Sequence, residues 1–103
     1  MTTSVYVGSR QPDGRTSVDV DGRPLRLRMD FRSASSTSFD WGYEGLGGPA
    51  QLSLAILADH LADDVRARRY YEHFLRRVVK NLPSEGWILT GPDIDAVLPA
   101  SGY

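Results

Sequence analysis

The segment from Trp41 to Gln51 holds the densest group of residues that could bind a ligand. Glycine lets a backbone approach a ligand closely, and Pro49 is suited to the first position of a helix, whose leading N–H groups lack intrahelical partners. The positive end of the helix dipole favours an anion, and aromatic rings stack on planar groups. We therefore predict a nucleotide-like or other anionic small ligand here. The candidate ligand-binding residues are Trp41, Gly42, Tyr43, Gly45, Gly47, Gly48 and Gln51.

The same segment has a purely structural interpretation. Its glycines would permit a tight turn, Phe39 and Trp41 would pack in the core, and Gln51 would satisfy buried backbone groups. Asp40 and Glu44 flank the loop and would repel a phosphate. No lysine follows the last glycine, so the loop is not a Walker A loop. From the sequence, both interpretations remain open.

Charge is segregated along the chain although the net charge is only −1. Residues 39–64 contain five acidic and no basic residues, whereas residues 65–80 contain six basic residues and a single acidic one. The basic segment is either a solvated face, partly paired with Asp59, Asp63 and Asp64, or a contact surface. A pI of about 6.0 makes nucleic acid an unfavoured partner. The candidate basic surface comprises Arg66, Arg69, Arg76, Arg77 and Lys80.

Catalytic chemistry has little support in this sequence. The chain contains no cysteine, which excludes disulfides, thiolate catalysis and cysteine-ligated metals. Its two histidines, His60 and His73, fall on different predicted helices. Asp93 and Asp95 are too few ligands for a divalent cation, and Asp93 after Gly91-Pro92 is better suited to capping a helix. We expect a binding module without catalytic residues, metal or cofactor, and rank an enzyme third.

Alternating residues predict an antiparallel sheet in the first third of the chain. Segments 5–7, 16–20 and 25–29 are β-prone, and Asp21-Gly22 suits a type I′ turn between the last two. In the third segment Leu25, Leu27 and Met29 would point inward, and Pro24 should lie at a strand start or at a sheet edge.

Two helices and a late strand follow. Helices are predicted at about 49–62, apolar on two sides, and at about 64–81, with Asp63 or Asp64 as cap and Pro83 beyond its end. A strand at 87–89 and a short helical turn from Gly91 complete the pattern. The sequence predicts one α+β domain over residues 1–103, a small antiparallel sheet packed on a two-helix antiparallel hairpin.

The predicted location is cytoplasmic. The chain has no apolar run of the ~18 residues that a membrane-spanning helix needs. Its first residues, Met-Thr-Thr-Ser-Val, lack the basic and apolar regions of a signal peptide. We therefore expect no membrane partner.

The stretch Phe-Asp-Trp-Gly-Tyr-Glu-Gly-Leu-Gly-Gly-Pro-Ala-Gln-Leu-Ser-Leu-Ala-Ile-Leu occupies residues 39–57. It resembles a family of small uncharacterised proteins of bacteria, phages and plasmids, with the pattern Phe-x-Trp-Gly-Tyr, a glycine loop and Gly-Pro-x-Gln-Leu. The similarity continues to Leu82-Pro83 and Gly86-Trp87, while the loop at 44–48 is one residue longer than in the family pattern. The family is a domain of unknown function, so the resemblance implies kinship and no activity.

By analogy with small proteins of mobile genetic elements, the main alternative function is a protein-interaction module that inhibits or adapts a host system. The charged helix or an open strand edge would form its contact surface. A homodimer formed through an exposed strand edge is a further option that the sequence does not fix.

Overall fold

The computed structural model describes residues 4–31, 38–45 and 47–98. They form an α+β domain, which confirms the predicted fold class, with an antiparallel sheet packed on a two-helix hairpin. The strands are β1 (Val5–Arg10), β2 (Thr16–Val20), β3 (Arg23–Pro24) and β4 (Gly86–Thr90). The helices are α1 (Gly48–Leu61), α2 (Asp64–Arg77) and α3 (Gly91–Val97), and a short 3-10 helix spans Val79–Asn81.

The sheet has the strand order β3-β2-β1-β4, and all its neighbouring strands are antiparallel. Because side chains alternate along a strand, one face of the sheet is apolar and buried. Tyr6, Val18 and Val20 belong to this face and join the core, whereas Val7 and Asp19 lie on the outer face. The Tyr6 hydroxyl donates a hydrogen bond to Asp59 of α1, which ties the sheet to the helix above it.

The β2–β3 hairpin has the predicted turn but a shorter second strand. Asp21 and Gly22 have φ values of 52° and 84°, as a type I′ turn requires. The strand predicted at 25–29 was wrong, because the Arg28 backbone bonds to the Gln51 side chain of α1 instead of a neighbouring strand. Met29, predicted to point inward, is 47% exposed. Pro24 lies in the edge strand β3, where its missing N–H is tolerated.

The helical hairpin begins with a central, almost fully buried helix. All residues of α1 from Pro49 to Ala58 are buried. The helix starts at Gly48, so Pro49 occupies its second position and not the predicted first. Ala62, in the left-handed conformation with φ 53°, ends α1. Asp63 then caps α2 by accepting hydrogen bonds from the Val65 and Arg66 N–H groups, as predicted. The second helix ends at Arg77, four residues earlier than predicted, and the 3-10 helix continues it.

The last strand leads directly into α3. The N-cap is Thr90, and Asp93 completes a capping box with it, so the predicted cap role of Asp93 belongs to Thr90. His60 bonds to Asp95 at 2.7 Å, and His73 bonds to the Val97 carbonyl at 2.8 Å. Both histidines therefore hold α3 against the helical hairpin.

Gly8 in β1 is required by the position of the Trp87 indole. A Cβ added at Gly8 would lie 2.2 Å from a ring carbon of Trp87, and the ring is buried against the core. We expect Gly8→Ala to lower the free energy of unfolding by about 2 kcal/mol, because the crowded ring must move. Urea denaturation measures this change. Gly14→Ala, at a glycine with φ 93° whose added Cβ meets nothing within 4 Å, gives the cost of backbone strain without crowding. A Gly8→Ala variant as stable as the wild type would contradict the crowding argument.

Among the described residues, no helix is long and apolar enough to span a membrane.

Candidate functional site

Trp41 is an anchor of the core. Its side chain is 2% exposed, and its indole N–H donates to the Pro83 carbonyl at 2.9 Å. The ring meets Trp87 edge-to-face with centroids 5.4 Å apart, and the Arg10 guanidinium lies 5.0 Å from its centroid. Arg10 covers one face of the indole, its N–H is bonded, and burial leaves almost none of the ring accessible. In this arrangement the ring joins the loop to β1, β4 and the 83–84 segment and does not offer a free stacking surface.

Asp40 organises the start of the loop. One carboxylate oxygen accepts from Arg10 at 2.7 Å and from the Trp41 N–H at 2.8 Å, and the other accepts from the Tyr43 hydroxyl at 3.0 Å. Burial raises the pKa of Asp40, but these hydrogen bonds and the Arg10 charge hold its pKa below the usual value. Because Arg10 compensates its charge, Asp40 repels an anion less than the sequence suggested.

The glycines of the loop divide into packed and open positions. Gly42 has φ 89°, and its N–H donates to the Val79 carbonyl at 2.9 Å. Gly48 lies against Asp40, because an added Cβ would be 2.5 Å from the Asp40 Cβ. An added Cβ at Gly47, the N-cap of α1, would meet nothing within 4 Å. Gly42 and Gly48 therefore meet conformational and packing demands, whereas the backbone at Gly47 is open to an approaching ligand.

Gln51 binds a neighbouring backbone segment. It is fully buried, its side-chain carbonyl accepts from the Arg28 N–H at 2.7 Å, and its amide donates to the Arg28 carbonyl at 3.3 Å. The Arg28 guanidinium in turn bonds to Asp30 and Asp64, and it lies 4.7 Å from the Phe31 ring centroid. Gln51 and Arg28 thus hold the segment after β3 against α1 and α2. Gln51 satisfies backbone groups of this segment, as the structural interpretation predicted.

Only some of the predicted ligand-binding residues are accessible to a ligand. Tyr43 is 50% exposed, and Gly47, four positions later, is exposed as well. An open cleft of about 340 Å³ runs between the loop and α2. It is lined by Glu44, Gly45, Tyr71, Glu72, Leu75 and Arg76. Ligand binding stays a prediction, and it now depends on Tyr43, Gly45 and Gly47.

The predicted basic surface lies on α2 and the 3-10 helix. Arg69, Arg76 and Arg77 are exposed, and Arg66 and Lys80 are partly buried. None of these five side chains is within 4.0 Å of a carboxylate in the described segments.

The acidic residues that could have neutralised this surface are engaged elsewhere. Asp59 accepts from the Tyr6 hydroxyl, Asp63 caps α2, and Asp64 accepts from Arg28 at 2.7 Å. The expected partial pairing of these acids with the basic residues of α2 is therefore not found in the described segments. Among the residues that the structure describes, no ion pair compensates the basic surface.

The Asp40 hydrogen bonds predict a specific acid sensitivity. A carboxyl whose pKa is lower in the folded state contributes stability above its unfolded pKa of ~3.9, and this contribution is lost as pH falls through the folded value. We expect Asp40→Asn to be less stable than the wild type at neutral pH, with the difference shrinking below about pH 5. Urea denaturation across this pH range measures it. Glu44→Gln, at an exposed neighbour, is the control, and a difference independent of pH would contradict the prediction.

In residues 4–31, 38–45 and 47–98, no three side chains that could bind a metal ion come together.

Comparisons with known proteins place the chain in a family without assigning an activity. No curated protein and no solved structure matches the chain significantly. The model of a family of unknown function matches residues 6–100, which extends well beyond the 39–89 stretch that carried the resemblance. The protein therefore belongs to the family of unknown function DUF6166.

Proposed function

We propose that this protein is a non-enzymatic interaction module whose basic α2 surface binds an acidic surface of a partner protein. The observation that carries this proposal is the lack of ion-pair partners for Arg69, Arg76 and Arg77 within the described chain. Desolvated arginine–carboxylate pairs give an interface orientation and specificity, and opposite charge accelerates association.

The spacing of the exposed side chains suits one continuous contact. Residues Val65, Arg69, Glu72 and Arg76 recur at intervals of four, three and four, so they lie along one stripe of the helix. Val65 is 60% exposed and adds an apolar contact to the cationic ones. An apolar residue and a carboxylate within the stripe favour a protein surface over a phosphate backbone, which would be repelled by Glu72.

The proposed biological setting is that of the resembling proteins of bacteria, phages and plasmids. Small proteins of mobile genetic elements act as inhibitors or adaptors of host systems, and a preformed charged helix is a simple way to bind a host protein. This part of the proposal rests on analogy between proteins and not on the geometry.

A charge-reversal experiment tests the interaction surface. The tagged full-length wild type is expressed in its source cells, cross-linked and purified, and its partners are identified and quantified. We expect one stoichiometric protein partner for the wild type. The amount of this partner captured by Arg69→Glu/Arg76→Glu should be at least about tenfold lower, because reversing two charges makes both contacts repulsive. Arg23→Glu/Arg26→Glu changes the net charge equally on another exposed region and should retain the partner.

Two outcomes would contradict the interaction module. The first is the absence of any stoichiometric protein partner for the wild type. The second is a partner that Arg69→Glu/Arg76→Glu retains as well as the wild type does. Nuclease treatment before purification distinguishes a protein partner from nucleic acid, and loss of the captured material after this treatment would assign the surface to nucleic acid.

A second candidate function is binding of a nucleotide-like or other anionic small molecule at the glycine loop. The cleft between the loop and α2 supports it through Gly45, Arg76 and the Tyr71 ring. Glu44 and Glu72 in the same lining disfavour a phosphate. Thermal-shift measurements with a nucleotide panel test it: a stabilising nucleotide should lose its effect in Tyr43→Ala but not in Tyr70→Ala. The absence of a shift with every nucleotide, or an undiminished shift in Tyr43→Ala, would contradict it.

A further inference from the structure

The two edges of the sheet differ in how they are protected. The edge strand β3 has two residues, Arg23 and Pro24, and a short strand with a proline and a charge resists pairing with another strand. The other edge strand, β4, has five residues, Gly-Trp-Ile-Leu-Thr, with no charge and no proline. In the described segments no strand pairs with the outer side of β4.

The hydrogen-bond pattern identifies the backbone groups at this edge. The Arg10 N–H donates to the Glu85 carbonyl, and the Gly91 N–H donates to the Ser4 carbonyl. Since bonded and non-bonded pairs alternate in an antiparallel ladder, Trp87 and Leu89 direct their backbone groups toward β1. Gly86, Ile88 and Thr90 consequently direct theirs outward.

Not every outward group is available for pairing. The Thr90 N–H is already bonded to Asp93 at 3.0 Å, as part of the capping box of α3. The Thr90 carbonyl is not available either, because as the N-cap of α3 it accepts the first hydrogen bond of the helix. The N–H and C=O of Ile88 and of Gly86 remain unpaired at the edge within the described chain. They provide donors and acceptors for a short additional strand.

Two exposed apolar side chains on the outer face of the sheet lie at or next to the β4 edge. Ile88 is 66% exposed and Val7, its direct cross-strand neighbour, is 39% exposed. These two residues form an apolar row perpendicular to the strands that stops at β4. The α3 helix leaves the end of β4 and contacts α1 and α2 through His60 and His73, so it lies on the opposite, helical side of the sheet.

We propose that β4 pairs in antiparallel fashion with β4 of a second copy of this chain, about a two-fold axis at Trp87. Gly86 of each copy would exchange N–H···O=C hydrogen bonds with Ile88 of the other copy. On the outer face, each Ile88 side chain would lie beside Gly86 of the other copy, so that the apolar rows of Val7 and Ile88 from the two copies meet across the axis.

A second copy fits this edge better than an unrelated strand because the edge complements itself. A two-fold axis at Trp87 pairs the available N–H and C=O groups of Gly86 and Ile88 in both copies, and β4 contains no charged residue that would meet a like charge. The pairing is independent of the α2 surface, which belongs to the helical layer. The result is a continuous sheet through both copies with the α2 surface of each copy left accessible.

Sedimentation velocity over a concentration series of the full-length protein tests this dimer. We expect the wild type to form dimers as concentration rises. Ile88→Lys should raise the dissociation constant at least about tenfold, because the two lysines would be diagonal neighbours across the axis and would repel each other. Ser17→Lys places the same charge on the outer face of β2, away from the edge, and should dimerise like the wild type. Circular dichroism verifies that each variant is folded.

A single-thiol experiment tests the geometry without adding charge. The chain has no cysteine, so Ile88→Cys introduces a unique thiol. We expect a short bis-maleimide to cross-link Ile88→Cys into a covalent dimer much faster than Ser17→Cys. A wild type that stays monomeric at all concentrations, or equal cross-linking of the two variants, would overturn the proposed pairing.

Discussion

We expect Trp41→Ala to lower the free energy of unfolding by about 4 kcal/mol, because a buried tryptophan is lost and a cavity remains. Trp41 is 2% exposed, contacts Trp87 and Arg10, and donates its indole N–H to the Pro83 carbonyl. The substitution therefore removes the hydrogen bond to the Pro83 carbonyl in addition to creating the cavity. Denaturant unfolding, monitored by far-ultraviolet circular dichroism, measures the loss.

Tyr43→Ala is the matched control within the same motif. Tyr43 is 50% exposed, and its hydroxyl donates a hydrogen bond to Asp40 at 3.0 Å. We expect its removal to cost no more than about 1 kcal/mol. Similar losses for the two variants would contradict the assignment of Trp41 to the core. The comparison also decides which variant can report on ligand binding, since a destabilised Trp41→Ala protein would lose binding for structural reasons.

The second large effect concerns the buried amide of α1. We expect Gln51→Met to lower the free energy of unfolding by about 3 kcal/mol, because methionine fills a similar space but cannot bond to the Arg28 backbone. The Arg28 N–H and C=O would both lose the partners that now lie at 2.7 Å and 3.3 Å. Urea unfolding measures the effect, and hydrogen exchange at the Arg28 amide should become faster.

Ser53→Ala provides the control for this prediction. Ser53 is also fully buried on α1, but its hydroxyl bonds to the Pro49 carbonyl of the same helix at 2.8 Å. Its removal should cost less than about 1 kcal/mol, because it connects no separate segment. If Gln51→Met were as stable as Ser53→Ala, the role of Gln51 in holding the segment after β3 would be wrong.

The elements with local signals could be predicted from the sequence. The Asp21-Gly22 turn was predicted correctly. A type I′ turn needs positive φ at both central positions, and aspartate and glycine adopt positive φ more easily than most residue types. The cap of α2 was predicted as Asp63 or Asp64, and the structure has Asp63 there, because a short carboxylate can satisfy the first N–H groups of a helix. In both places the physical cause lies within a few residues of the chain.

The strand predicted at 25–29 failed for the opposite reason. Its alternation of apolar and basic residues is typical of a strand, but a strand also needs a neighbouring backbone with which to pair. Gln51, 23 positions later in the chain, supplies the hydrogen bonds to Arg28 in place of a strand. Nothing in the local pattern reveals that a helix side chain competes for this backbone.

The candidate site shows the same division. Arg10 and Arg28 were not singled out in the sequence, although Arg10 compensates Asp40 and Arg28 binds Asp64. Their partners lie 30 and 36 positions away, so no spacing rule identifies them. For the same reason the sequence left open whether the acids around Asp59, Asp63 and Asp64 neutralise the basic helix.

By itself, the sequence determined the α+β class, the buried character of α1, the tight loop before it and the concentration of positive charge on α2. These properties follow from periodicity, backbone preferences and composition, which act over short distances. Only the tertiary structure decided that Trp41 and Gln51 lie in the core. It also decided that the α2 arginines have no acidic partner in the described chain. In the same way, only the fold places the uncharged strand β4 at an edge of the sheet. Those outcomes depend on which distant side chains and strands fold together, because a buried polar group or an ion pair is stabilised by its spatial neighbours and not by its neighbours in the sequence.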